Sequence, residues 1–80
     1  MNTLVYKLKS NIMDSYYVNK NAQPNGDHEV HKFGCSYMPH QENRIYLGQF
    51  DGCTGAVREA KKTYSKADGC AHCSAACHTR

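Results

Sequence analysis

Apolar and polar positions along this chain fall into a few short runs. Ser15-Tyr16-Tyr17-Val18-Asn19 concentrates aromatic and β-branched residues and reads as a strand, and His28-Glu29-Val30-His31-Lys32-Phe33 reads as a second. Between them lies Pro24-Asn25-Gly26-Asp27. Proline presets one φ and Asn-Gly tolerates positive φ, so the two strands form a hairpin around a loop longer than the tightest type. Period two places Glu29, His31 and Phe33 on one face of the second strand, and this face is expected to look into a small core. Arg44-Ile45-Tyr46-Leu47, bounded by Asn43 and Gly48, gives a third strand with Ile45 and Leu47 inward and Arg44 and Tyr46 outward.

Period 3.6 appears in the stretch from Gln49 to Gly69. Cys53, Ala56, Val57, Ala60 and Tyr64 form one apolar stripe, and Arg58, Glu59, Lys61, Lys62 and Ser65 take the wet side. Asp51 is placed to cap this helix and Gly69 to end it. Cys53, on the stripe, reads first as a small core residue. The alanine-rich Cys70–Cys77 run predicts a second, short helix. Residues 1–13 fit a helix through Leu4, Leu8 and Ile12 and equally an alternating strand, so they are read as an N-terminal extension of undecided structure, with the fold in residues 14–80. The expected architecture is a single α+β domain: an antiparallel three-stranded sheet with a hairpin, one main helix and a short C-terminal helix.

Eighty residues bury too little apolar surface to outweigh chain entropy comfortably, so a covalent or metal staple is expected. Five cysteines offer one. Leu4-Val5 is interrupted by Lys7 and Lys9 before a secretory apolar segment can form, which favours a reduced, cytoplasmic setting and a metal over disulfides. An odd thiol count points the same way. No run is long enough to span a bilayer.

Three cysteines and two histidines crowd into Asp68–His78. Cys70 and Cys73 have the C-x2-C spacing with which one turn aims two thiolates at a tetrahedral ion. His31 and Cys35, an H-x3-C pair with Gly34 beside the thiol, supply the other half. His31, Cys35, Cys70 and Cys73 thus make a Cys3His set for one structural Zn2+. On a helix Cys77 would share a face with Cys70 and Cys73, so Cys77 or His78 competes with His31 as fourth ligand. His31 is favoured because it closes a longer stretch of chain. Cys53 and Cys77 are then left as core thiols or as a pair. His28 and His40 read as solvated loop or strand residues.

The order of these parts carries a resemblance. H-x3-C at His31–Cys35, then Pro39, the Glu42–Leu47 run, and a helix-like stretch ending in Ala67-Asp68-Gly69-Cys70-x2-Cys73 resembles the zinc-binding domain of Ada-type DNA alkylation-repair proteins, over residues 16–73. It is more similar still to small Ada-like zinc modules with histidine in the first ligand position. The resemblance implies a zinc-stapled domain. It also implies loss of methyl-acceptor activity, because the sacrificial thiolate of the repair domain corresponds to His31. A site closed by four protein ligands leaves no open position for hydrolytic chemistry, so no catalytic residue is assigned.

The formal net charge is +3. Residues 1–43 are balanced, and the surplus lies in Arg44, Arg58, Lys61, Lys62, Lys66 and Arg80. Lysines late in a helix complement its dipole, and three thiolates on a divalent ion return about one negative charge. The balance permits an anionic partner without requiring one. The resulting expectation is a zinc-stabilised binding module with Arg44, Tyr46, Arg58, Lys61, Lys62 and Lys66 as candidates for contacting DNA or another nucleic acid. A protein-interaction adaptor is the alternative, and thiol redox or alkyl acceptance at Cys35 a distant third.

Overall fold

A computed structural model describes residues 12–80. The reading of residues 1–11 therefore lies outside the described residues, and Ile12 and Met13 are exposed and belong to no strand. Strand β1 (Asp14–Asn19) and strand β2 (His28–Lys32) form the expected hairpin, pairing Tyr17 with His31 and Val18 with Val30. The loop closes on itself: Asp27 N–H donates to the Asn25 side chain, Gly26 N–H donates to the Gln23 carbonyl, and Gly26 takes φ +91°.

Strand β3 (Arg44–Phe50) follows a single 3-10 turn at Gln41–Asn43 and runs antiparallel to β1. Its register jumps between Tyr16↔Gly48 and Tyr17↔Tyr46, which leaves Leu47 as the extra residue of a bulge. Gly48 sits at φ +123°, open chiefly to glycine. Ile45 and Leu47 pack against the core and Tyr46 is 55% exposed, as their alternation predicts.

Helix α1 (Cys53–Ala60) lays Ala56 and Ala60 against Tyr16, Val18 and Val30, with Ile45, Phe50, Cys53, Val57 and Tyr64 closing the core at its margins. The predicted stripe is the buried face, but the helix is shorter than the periodicity suggested. After Ala60 the chain tightens into turns: Lys62 and Thr63 N–H donate to Glu59 and Ala60 carbonyls three residues back. Asp51 makes no cap, since Gly52 occupies that position without a side-chain hydrogen bond.

The larger departure is a fourth strand. β4 (Ala67–Gly69) pairs in parallel with β2, and the sheet order is β3-β1-β2-β4, a mixed sheet in place of a three-stranded antiparallel one. Gly69 is thus a strand residue and not a helix terminator. All three residues of β4 are buried, so no alternation marks them and only the free edge of β2 defines the strand. The predicted C-terminal helix is reduced to a 3-10 turn at Ala75–Cys77. Among the described residues no helix is long and apolar enough to cross a membrane.

Candidate metal centre

His31 enters the site from β2. Beyond Lys32 the strand stops, contrary to the longer run expected, and Phe33 turns outward to 67% exposure instead of sharing a core face with His31. Gly34, at φ +92°, bends the chain back so that Cys35 N–H donates to the Lys32 carbonyl at 3.1 Å. That turn returns the Cys35 thiol to the strand end it has just left.

Cys70 arrives from the other side. It follows β4 directly, and its N–H continues the sheet by donating to the Val30 carbonyl at 3.0 Å. Ser74 N–H then donates to the Cys70 carbonyl, closing the turn that carries Cys73. The parallel pairing of β4 with β2 is therefore what sets the C-x2-C turn beside His31. One ligand atom from each of His31, Cys35, Cys70 and Cys73 lies within 4.8 Å of every other. The four residues are close enough to hold a metal ion.

The donor set fits a tetrahedral cation. Zinc–sulfur bonds of about 2.3 Å place the sulfurs of a tetrahedral site about 3.8 Å apart; here Cys35 Sγ and Cys70 Sγ are 4.0 Å apart, and Cys73 Sγ is 3.9 Å from His31 Nδ1. Backbone amides are aimed at the sulfurs. Lys32 N–H donates to Cys73 Sγ at 3.3 Å, His72 N–H to Cys70 Sγ at 3.4 Å, and Tyr37 N–H to Cys35 Sγ. Each stabilises a thiolate. Tyr37 and His72 stand two residues past a site cysteine, and their rings stack at 4.0 Å, bridging the two turns. Neither ring was expected at the centre, although the shared offset from Cys35 and Cys70 is visible in the sequence.

The ionisation of the site is uneven. Burial pushes the Cys35 thiol up to about 12, and its hydrogen bond to Cys73 adds to the effect. Burial also works against the Cys73 thiolate, but donation from the Lys32 amide, Cys35, Ser74 and Cys70 outweighs it, so Cys73 falls below the ordinary thiol value. Burial lowers His31, keeping the imidazole neutral as a ligand must be. A cation among these sulfurs favours the thiolate form of all three.

The alternative ligands are engaged elsewhere. Cys77 is bonded to Cys53 in a disulfide that ties the start of α1 to the C-terminal turn. Cys53 is thus a cross-link and not a free core thiol, and a wholly reduced chain is set aside. His78 donates from Nδ1 to the Gly69 carbonyl at 3.0 Å and lies 3.3 Å from Asp68. Helical spacing had placed Cys77 with Cys70 and Cys73, but the turn at Ser74 breaks that face.

The candidate nucleic-acid contacts do not gather. Arg44 lies over the Tyr17 ring at 4.6 Å, and Tyr17 packs on Tyr46 at 5.3 Å, forming one cationic–aromatic cluster across β1 and β3. Arg58 and Lys61 instead line a cavity of about 380 Å3 beside Cys77 and Thr79. Lys62 pairs with Glu59 at 3.0 Å, and Lys66 donates to the Asn25 carbonyl at 2.8 Å, bracing the β1–β2 loop. Arg80 is paired with buried Asp27 at 2.9 Å. No protein-family model, curated protein or solved structure matches the chain.

Proposed function

We propose that this chain is a small zinc-stapled binding module whose one Zn2+ is held by His31, Cys35, Cys70 and Cys73 and serves the fold. The convergence of three sulfurs and an imidazole nitrogen within 4.8 Å carries this reading. Three thiols in such proximity with aimed backbone amides make a poor apolar core but a suitable cage for a thiophilic cation. The staple would join the exit of β2 to the exit of β4, and the disulfide would fasten the remaining loose end. By analogy with zinc-finger peptides, metal binding would contribute on the order of 10 kcal/mol to folding. The order of the half-sites, as in Ada-like modules, supports the reading, and His31 in the first ligand position speaks against methyl transfer.

Of the partner classes, a nucleic acid is favoured by the Arg44–Tyr17–Tyr46 cluster, which offers an exposed ring next to a cation. A protein partner is the alternative. The metal reading is tested by native mass spectrometry of the intact chain with zinc, followed by a strong chelator. One zinc per chain, and loss of the far-UV signal on its removal, is expected; a fold that survives complete zinc removal refutes the structural role. Binding to single-stranded oligonucleotides that weakens steeply with salt, and that Tyr46→Ala reduces, supports the nucleic-acid partner. No binding at low salt rejects it.

A further inference from the structure

We propose that Glu29 is the outer partner of the metal centre, its carboxylate accepting the Nε2–H of His31 and so fixing the ring to ligate through Nδ1. The inference rests on the zinc reading above and adds a positioning residue to it. Four observations converge. His31 is fully buried, so neither ring nitrogen can turn to water. Its Nδ1 faces the sulfurs, 3.9 Å from Cys73 Sγ. Its Nε2 has no hydrogen-bond partner in the interior, yet stands 3.5 Å from Glu29 Oε1. Glu29, for its part, has no Lys or Arg ion-pair partner among the described residues, whereas the neighbouring acid Asp68 is already taken up by Thr79 and the Arg80 amide.

A ring that gives its Nδ1 lone pair to a metal must carry its proton on Nε2. A buried N–H left unpaired is costly, which makes a nearby acceptor valuable in the metal-bound state. Closing 3.5 Å to an ordinary hydrogen-bond length takes about 0.6 Å, within the reach of a partly exposed Glu side chain. Strand geometry sets the pair up, because residues two apart on β2 fall on the same side. The carboxylate then holds the ring orientation and makes the imidazole a stronger donor toward the ion.

The test compares zinc affinity, by competition with a chromophoric chelator, in wild type, Glu29→Gln and Glu29→Leu, with the ring nitrogens of His31 read by long-range 1H–15N correlation. Wild type should show metallated Nδ1 and protonated Nε2. Glu29→Leu should bind zinc roughly 10- to 100-fold more weakly, and Glu29→Gln, which keeps an acceptor but loses the charge, should fall between. Should Glu29→Leu fail to fold, an affinity of Glu29→Gln equal to wild type overturns the proposal. So does metallated Nε2 in wild type. Wild type that binds zinc while Glu29→Leu binds equally well sinks this inference alone; wild type that takes up no zinc sinks the metal centre with it.

Discussion

Replacing Gly69 by alanine tests how β4, the metal turn and the disulfide are fitted together. A Cβ at this position would stand 2.6 Å from the Ser74 carbonyl oxygen, 2.7 Å from Cys77 Cβ and 2.8 Å from the Cys77 carbonyl carbon. Ordinary contacts of this kind are about 3.5–4.0 Å. Relief therefore needs about 1 Å of movement, and the obstructing atoms are main chain or anchored by the Cys53–Cys77 bond, so no side-chain rotation supplies it. Overpacking costs about 1–3 kcal/mol where the surroundings yield; with a cross-linked turn in the way, the upper end is expected, about 3 kcal/mol. At about 4–8 °C per kcal/mol for a domain of this size, the melting temperature of the oxidised protein, measured with zinc added, should fall by about 12–24 °C. Zinc affinity should drop as well, because Cys70 follows directly. Gly52→Ala is the matched control: extended backbone, nothing within 4 Å, and an expected change of no more than about 1 kcal/mol from exchanging a cap residue for alanine. A Gly69→Ala melt within a few degrees of wild type would refute the close seating of residues 74–77 on β4.

Breaking the cross-link with a Cys53→Ser, Cys77→Ser double variant should cost about 3 kcal/mol in chemical denaturation while the chain still takes up one zinc; loss of the metal would show that the disulfide builds the site. Asp68 gives a pH signature. Burial tends to raise its carboxyl, but donation from the Thr79 hydroxyl and amide and the Arg80 amide, with the Arg80 charge, holds it below its ordinary value. A depressed folded value contributes stability that is present above about pH 4 and is lost as pH falls through the folded value, so the stability gap between wild type and Asp68→Asn should be widest near neutrality and should narrow on acidification. A gap that does not change with pH would contradict this. Ala60→Leu, enlarging a fully buried position where α1 meets the sheet, should destabilise by about 1–3 kcal/mol in a urea melt, whereas Arg58→Ala on the wet side should be nearly silent.

The hairpin was legible because its cues are local: Pro24-Asn25-Gly26 sets the turn, and the Tyr–Val and Val–His runs set the strands. The buried stripe of α1 was legible for the same reason, as was the pairing of H-x3-C with C-x2-C, whose spacings each describe a single turn. The bulge at Leu47 left no trace beyond Gly48, because a bulge is defined by a mismatch with the partner strand. Phe33 illustrates a conflict between levels: alternation extends the strand to it, but the Gly34 turn needed to bring Cys35 home ends the strand one residue earlier and turns the ring outward.

The amino-acid sequence by itself determined the α+β class, the hairpin and the buried face of the helix, which follow from periodicity, and the two half-sites of the centre, which follow from spacing within one turn, while leaving the fourth ligand open between His31 and Cys77 or His78. Tertiary structure alone decided that Ala67–Gly69 is a strand, that Cys77 belongs to Cys53, and that Glu29, on the face it shares with His31, comes within 3.5 Å of the ring. The physical reason is common to all three. Three buried residues carry no period, a disulfide depends on where two distant segments meet, and an outer partner is defined by a distance. The first two were settled when β4 took the free edge of β2 and brought the last cysteines beside that strand and the start of α1.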